Sequence, residues 1–293
     1  MSLVPVDSRF AVAVDGKTFL LGIFGDPVSH SLSPQMQNAA LKSLGINAVY
    51  VPFHVRPDDL EKAVGSIRAL GLRGVNVTVP HKEAVCAYLD QIDEEALRIG
   101  AVNTIVNEGG RLLGFNTDGV GFLRSLEQDF GFDARGKEVL LLGAGGAARA
   151  ALVSLARSGA RRIYLANRTK RKARNLLQEM RSYFSRTDFE VVDLSPEGLK
   201  PCLRNIDLMV NSTSMGLQGE GWETFPWSAM PERVFVYDMV YSKNGTALTH
   251  RASRHGCRCA DGLGMLAGQG EEAFFLWTGR RPPSGFMRQS LAS

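Results

Sequence analysis

The sequence predicts an α/β protein of two domains, and three observations carry that prediction. Short apolar runs alternate with helix-like stretches from Phe19 onward. A polar, glycine-bounded junction, Gly131-Phe132-Asp133-Ala134-Arg135-Gly136, interrupts the alternation. A glycine-rich turn directly follows the first apolar run after that junction. At 293 residues the chain is long enough to build two cores.

In the first half, Phe19–Phe24, Ala48–Phe53, Gly74–Val79 and Val102–Asn107 read as strands, and Gly114 closes a further one. Pro34–Leu44, Leu60–Leu70 and Glu94–Ile99 lie between them with helical spacing, which argues for parallel β-α-β units. Ser33 is a good N-cap for the first helix, with Pro34 at its first position. A helix over Asp118–Phe130 leads to the junction. Strands follow at Glu138–Leu142, Arg162–Ala166, Phe189–Asp193, Leu208–Asn211 and Val234–Met239, with a helix at Arg149–Ser158. The last long helix, Leu263–Gly279, collects Ala, Phe, Leu and Trp on one face. The expected division is a domain of residues 1–118, completed by 262–293, and a second domain of 119–261, with a cleft between them.

Composition narrows the partners. A net charge of +4 suits anionic small ligands but is too mild and scattered for a nucleic-acid surface. The opening residues carry no signal-peptide pattern, and no apolar run approaches the ~18 residues that would indicate a membrane span, so a cytoplasmic protein is expected. The four cysteines (Cys86, Cys202, Cys257 and Cys259) form no C-x-x-C pair and read as free buried thiols. His54, His250 and His255 have no ligand spacing, so no metal is expected.

Residues 138–148, E-V-L-L-L-G-A-G-G-A-A, run an apolar strand into Gly143-x-Gly145-x-x-Ala148 and then a helix. That is the dinucleotide fingerprint in its required context. Gly143 permits the tight turn, Gly145 lets backbone N–H groups approach a pyrophosphate, and the small Ala148 packs helix on strand. The end of the next strand decides which nucleotide. An NAD site places Asp or Glu there, but no acidic residue stands between Glu138 and Glu179. Asn167, Arg168, Thr169, Lys170, Arg171 and Lys172 stand there instead, and they suit the 2′-phosphate of NADP.

The stretch Gly74-Val75-Asn76-Val77-Thr78-Val79-Pro80-His81-Lys82 poses a question. Strands covered on both faces read as nearly continuous apolar runs, and a buried amide without a partner is costly. Asn76 and Thr78 therefore imply something waiting for them, and a polyhydroxylated ligand would serve. His30-Ser31-Leu32-Ser33, Ala101-Val102-Asn103-Thr104 and Asn116-Thr117-Asp118-Gly119 add further polar groups at strand ends, where open α/β sheets bind ligands. Lys82 with Asp118 fits proton transfer, and it fits a structural ion pair too.

The ordered set H-S-L-S-P, N-V-T-V-P-H-K, A-V-N-T, N-T-D-G, G-A-G-G-A, N-R-T, T-S-M-G, Y-D-M-V-Y and D-G-L-G-M-L resembles the shikimate dehydrogenase family from Gly22 to Gly279. The resemblance implies an N-terminal α/β substrate domain, a Rossmann NADP-binding domain and a C-terminal helix returning to the first. It implies NADP-dependent reduction of 3-dehydroshikimate to shikimate in aromatic amino-acid biosynthesis, by a monomer or homodimer. Ser31 and Ser33 would hold the substrate carboxylate. Asn76, Thr78, Asn103 and Asp118 would hold the ring hydroxyls, with Lys82 and Asp118 as the acid–base pair at the reacting oxygen. Tyr241 and Gln269 would close the site. Gly143, Ala144, Gly145, Gly146, Ala147, Asn167, Arg168 and Thr169 would bind NADP, with Thr213 and Met215 near it and Met239 and Gly262 beside the nicotinamide. The alternative is a relative that also oxidises quinate or uses NAD; the Ser31/Ser33 pair and Arg168 lean against it. A non-catalytic regulator on the same fold should lack Lys82 or Asp118, and both are present. His81 stands where many relatives carry an aromatic, and is expected to pack or face solvent. Gly268 and Gly270 are expected to loosen the start of the last long helix.

Overall fold

The computed structural model describes residues 14–216 and 221–292, so the opening residues searched for a signal peptide lie outside it in part. The first half runs β1 (Phe19–Gly25), α1 (Ser33–Ser43), β2 (Ala48–His54), α2 (Leu60–Ala69), β3 (Gly74–Val77), β4 (Gln91–Ile92), α3 (Glu94–Ile99), β5 (Thr104–Glu108) and β6 (Arg111–Phe115). It continues through α4 (Asp118–Phe130), β7 (Glu138–Leu142), α5 (Gly146–Arg157), β8 (Arg162–Ala166), α6 (Lys170–Tyr183), β9 (Asp188–Val192), α7 (Pro196–Leu203) and β10 (Leu208–Asn211). The end comprises β11 (Phe235–Asp238), α8 (Ala247–Arg254), β12 (Cys259–Asp261), α9 (Leu263–Thr278) and α10 (Phe286–Ala292).

Two compact units result. Of the described residues, one unit holds those up to Ile92, Val102–Phe115 and those from Ala273; the other holds Asp93–Ala101 and those from Asn116 to Glu272. Helix α9 therefore contributes residues to both.

The first unit's sheet has the order β2-β1-β3-β5-β6-β4. Strands β1, β2 and β3 are parallel as the alternation predicts, but β5 runs antiparallel to both β3 and β6. Between β5 and β6 the reason is a tight hairpin. Glu108 pairs with Arg111, and the two residues between them, Gly109 and Gly110, both have positive φ (60° and 95°). Only such a turn matches the twist of two strands joined by two residues. Trp277 of α9 fills this unit's core; its Nε1 donates to the Ile105 carbonyl at 2.9 Å. A Cβ on Gly74 would lie 2.3 Å from that nitrogen, so the glycine opening β3 makes room for the indole.

The second sheet, β12-β11-β10-β7-β8-β9, is parallel throughout. Alternate residues of each strand feed opposite cores. Val139, Leu141, Ile163, Leu165 and Val210 pack with α4, α5 and α6; Leu140, Leu142, Ala166, Met209 and Val236 pack with α7 and α8. Coverage on both faces explains the unbroken apolar runs from which these strands were predicted. Helix α5 begins at Gly146, three residues before the predicted Arg149, because the glycine turn itself enters the helix. Helix ends follow local chemistry: Asp93 accepts from the Glu95 N–H to start α3, and Gly100 and Gly131 end α3 and α4 in the left-handed region.

Gly268 does not loosen α9. A Cβ on Gly268 would come within 3.0 Å of Gly121 Cα, and one on Gly121 within 2.5 Å of the Gln269 nitrogen. The two glycines let α4 and α9 touch backbone to backbone, and α9 is continuous across the contact. The described cysteines are all free; Cys202 and Cys257 are buried, while Cys86 and Cys259 are only half-buried. Burial pushes the Cys202 thiol up to about 12 and that of Cys257 to about 11, which keeps both protonated and unreactive. Among the described residues, no helix is long and apolar enough to cross a membrane.

Candidate active site

In the first unit, the polar residues gather where β1 and β3 end. The Thr78 N–H donates to Phe24 O at 2.9 Å and the Asp26 N–H to Val79 O at 3.1 Å, so the loops after these two strands run side by side. Gly25 is required here, since its Cβ would meet Thr78 Cγ2 at 2.5 Å. Ser31 and Ser33 open α1, but not as predicted. Helix α1 starts at Ser33 with Leu32 at the cap position and no side-chain cap. Ser31 Oγ accepts the Ser33 N–H at 3.3 Å, so Ser31 serves the helix end locally while Ser33 is turned inward and buried. Lys82 follows β3, half-buried, and its carbonyl accepts the Val102 N–H at 2.8 Å, which ties it to the strand leading into Asn103. His81 is buried, and its Nε2 donates to Val55 O at 2.7 Å; it packs as a structural residue.

The partners that Asn76 needs are supplied by the protein, not by a ligand. Tyr50, buried in β2, donates its hydroxyl to Asn76 Oδ1 at 2.8 Å. Asn76 Nδ2 donates to Asn103 O and to Thr104 Oγ1, each at 3.1 Å. Thr104 then donates to Asn103 Oδ1 at 2.9 Å. Burial pushes the Tyr50 hydroxyl well above its ordinary range, opposed only by the neighbouring Ser33 hydroxyl. Neither Tyr50 nor Thr104 was predicted. A lone Tyr in an apolar strand and a Thr after Asn103 carry no signal until strand register brings them together.

In the second unit, Asp118 is the first residue of α4 and is buried, with its N–H donating to Asn116 Oδ1 at 3.1 Å. A carboxylate at a helix N-terminus is favoured by the helix dipole. Asn116 Nδ2 in turn donates to Ala101 O at 2.9 Å, fixing the turn that presents Asp118. Gln269 of α9 is buried at the glycine crossing with α4, its Nε2 donating to Leu266 O at 2.8 Å. Tyr241 is exposed after β11.

The carboxyl ends of β7, β10, β11 and β12 bring the predicted cofactor residues together. Gly143 has φ +112°, and a Cβ there would strike Ser212 Oγ at 2.6 Å, so only glycine turns this corner. Gly145 caps α5 with no side-chain acceptor, which leaves the backbone N–H groups of its first turn to an anion. A Cβ on Gly145 or Gly146 would meet only open space, so that side of the turn is bare backbone. Ala144 and Ala147 are half-buried beside it. At the end of β8, Asn167 Nδ2 donates to Thr169 O at 3.0 Å, Arg168 is exposed, and Lys170 is paired with Asp193 at 2.5 Å. These residues fit a dinucleotide with a 2′-phosphate. Gly262 lies against Met239, where a Cβ would fall 2.2 Å from the Met239 carbonyl oxygen.

A second network, also unpredicted, holds the loops here. Asp238, wholly buried at the end of β11, accepts from Asn211 Nδ2 (2.8 Å), Val240 N–H (3.1 Å) and the Thr246 hydroxyl (2.6 Å). Asn211 Oδ1 takes the Thr213 N–H and hydroxyl at 3.1 and 2.7 Å, and Thr213 Oγ1 takes the Met215 N–H at 3.1 Å. The signal was present in the sequence, since Asn211 and Asp238 each end an otherwise apolar strand.

The fold and the glycine turn define a dinucleotide-dependent oxidoreductase with a separate α/β unit for its substrate. Comparison with known proteins makes the class specific. Residues 23–105 match the shikimate dehydrogenase substrate binding domain, 125–217 the shikimate / quinate 5-dehydrogenase model and 262–292 the shikimate 5'-dehydrogenase C-terminal domain. The chain belongs to the shikimate dehydrogenase family. It is 50% identical to the shikimate dehydrogenase (NADP(+)) of Geobacter metallireducens over 95% of this chain and 97% of that one. The crystal structure of shikimate dehydrogenase from Aquifex aeolicus is 40% identical with a TM-score of 0.86, covering 96% and 100% of the two chains. That of the Thermus thermophilus enzyme, in complex with NADP(H) and shikimate, is 38% identical with a TM-score of 0.83, covering 93% and 98%.

Proposed function

We propose that this chain is an NADP-dependent shikimate dehydrogenase that reduces 3-dehydroshikimate to shikimate in aromatic amino-acid biosynthesis, acting in the cytoplasm as a monomer or homodimer. The observation that carries the cofactor choice is the basic end of β8, where Arg168 stands and no acid is present to accept from the ribose. NADPH, when bound, supplies the hydride that the carbonyl carbon receives. Gly143, Ala144, Gly145, Gly146 and Ala147 would hold its pyrophosphate on backbone N–H groups. Asn167, Arg168 and Thr169 would bind its adenosine end, with Arg168 on the 2′-phosphate; Thr213 and Met215 would lie near the cofactor, and Met239 and Gly262 would flank the nicotinamide.

Ser31 and Ser33 take the substrate carboxylate. Thr78 and Asn103 face its hydroxyls, Asn76 supports Asn103 from behind, and Tyr241 and Gln269 add further substrate contacts. In reduction, the Lys82 ammonium stabilises the developing alkoxide and delivers one proton to it; in oxidation the neutral amine takes that proton back. Asp118 shares in the proton transfer as the second member of the acid–base pair. The hydride and the single proton together balance a two-electron reduction of a ketone to an alcohol.

Initial rates with shikimate and with quinate, each with NADP and with NAD, test this reading. Turnover confined to shikimate and NADP is the expected result. Comparable rates with quinate and NAD would move the chain to the broader substrate class.

A further inference from the structure

The network under Asn76 has a direction. Tyr50 has one proton, and it goes to Asn76 Oδ1. The Asn76 amide is thereby oriented, and its nitrogen donates to Asn103 O and to Thr104 Oγ1. Thr104, having accepted there, gives its own single proton to Asn103 Oδ1. The arrows run one way, from Tyr50 through Asn76 and Thr104 to Asn103.

Strand register builds this line. Tyr50 pairs with Leu21, Asn76 with Ile23 and Thr104 with Asn76, so all lie on one face of the sheet formed by β2, β1, β3 and β5. Tyr50 is held from behind by the Trp277 ring, with centroids 6.0 Å apart. A buried aromatic at that place needs no hydroxyl for packing; a phenylalanine would fill the same space. The hydroxyl is there for the amide.

We propose that Tyr50 and Thr104 are positioning residues for substrate: they lock the Asn103 carboxamide with its oxygen inward, so that its NH₂ edge is the side offered to a substrate oxygen. Asn76 then acts as the link in the relay. Ser33, beside the Tyr50 oxygen, is held from the other end. The consequence is specificity for an accepting group at that position, an oxygen lone pair on the ring, over a donor. A carboxamide free to flip would take either, and it would lose part of its binding free energy in being ordered. The inference rests on the proposed role of Asn103 in contacting substrate.

The test uses the full-length chain. Tyr50→Phe and Thr104→Val remove one hydroxyl each with little change of volume, and Thr104→Ser keeps the hydroxyl. The expected result is a rise in KM for shikimate on the order of ten-fold in Tyr50→Phe and Thr104→Val, about one charge-free hydrogen bond's worth. KM for NADP should stay within about two-fold, and Thr104→Ser should return shikimate KM to the wild-type value. The double variant Tyr50→Phe/Asn103→Ala should bind shikimate no worse than Asn103→Ala alone, because the relay acts only through that amide. A loss of thermal stability with shikimate KM unchanged in both single-hydroxyl variants would overturn the relay and leave Tyr50 a structural residue. An unchanged shikimate KM in Asn103→Ala would overturn the substrate role of Asn103, and the relay with it.

Discussion

The two units each bury a polar network beneath the residues proposed to bind ligand, and the two are made differently. In the first unit, Tyr50, Asn76, Thr104 and Asn103 are neutral, and the Tyr50 and Thr104 hydroxyls donate to the amide oxygens of Asn76 and Asn103. In the second, a carboxylate, Asp238, gathers three donors, from the end of β10, the loop after β11 and the cap of α8. The neutral chain fixes the orientation of its amides through hydroxyl groups alone, with no carboxylate or ammonium among its members. The charged hub ties loops together at the cost of burying a charge. Orientation can be built from neutral groups, whereas gathering three separate segments at one point calls for an acceptor strong enough for all of them.

The largest expected effect lies outside both networks and calibrates them. Lys82→Ala should lower kcat by about 10²–10⁴ with much less effect on substrate KM. If steady-state kinetics showed near-normal turnover, Lys82 would lose its acid–base role, and network variants could not be judged against it. Next comes Asp238→Ala, which leaves three donors without their acceptor and should cost about 3 kcal/mol or more of folding stability. Chemical denaturation would check it, and a loss no greater than that of Tyr50→Phe would erase the distinction between hub and chain.

Arg168→Ala is expected to raise the NADP KM by about ten- to hundred-fold and to leave that for NAD within about three-fold. Equal losses for the two cofactors would show that the end of β8 does not read the 2′-phosphate. The smallest effect is a slope with pH. Burial raises the Asp238 carboxyl above its ordinary value, so the folded state holds that proton to higher pH than the unfolded chain does. Stability from this group is therefore full below about pH 4 and is withdrawn as pH rises through the folded value. Asp238→Asn lacks the titration, so its deficit against wild type should narrow as pH rises above about 4. Denaturation midpoints at several pH values would measure it; a widening deficit would mean that the three donors outweigh burial.

Much of the second unit was legible because a strand covered on both faces must be apolar, and Glu138–Leu142, Arg162–Ala166 and Leu208–Asn211 stand as predicted. The Gly143 turn was legible because its geometry admits almost no other residue. The antiparallel turn of β5 and β6 was missed although Gly109-Gly110 announced it. The networks were less accessible. Tyr50 reaches Asn76 across β1, twenty-six positions along the chain, and only register places them on one face. Sequence correctly marked Asn76 as needing partners, but it assigned them to a ligand because nothing local offered them.

The touching glycines of α4 and α9 bear on any effort to make this protein hardier. Replacing a helical glycine with alanine ordinarily stabilises, because it restricts the unfolded chain and improves helix propensity. Gly65, whose Cβ would meet nothing, is a sound choice for that recipe. Gly121 and Gly268 are the wrong choice: a methyl on Gly121 meets backbone at 2.5 Å, and one on Gly268 meets it at 3.0 Å. Since Gln269 stands at that crossing, an alanine there would trade robustness for a displaced side chain at the site where shikimate is proposed to bind.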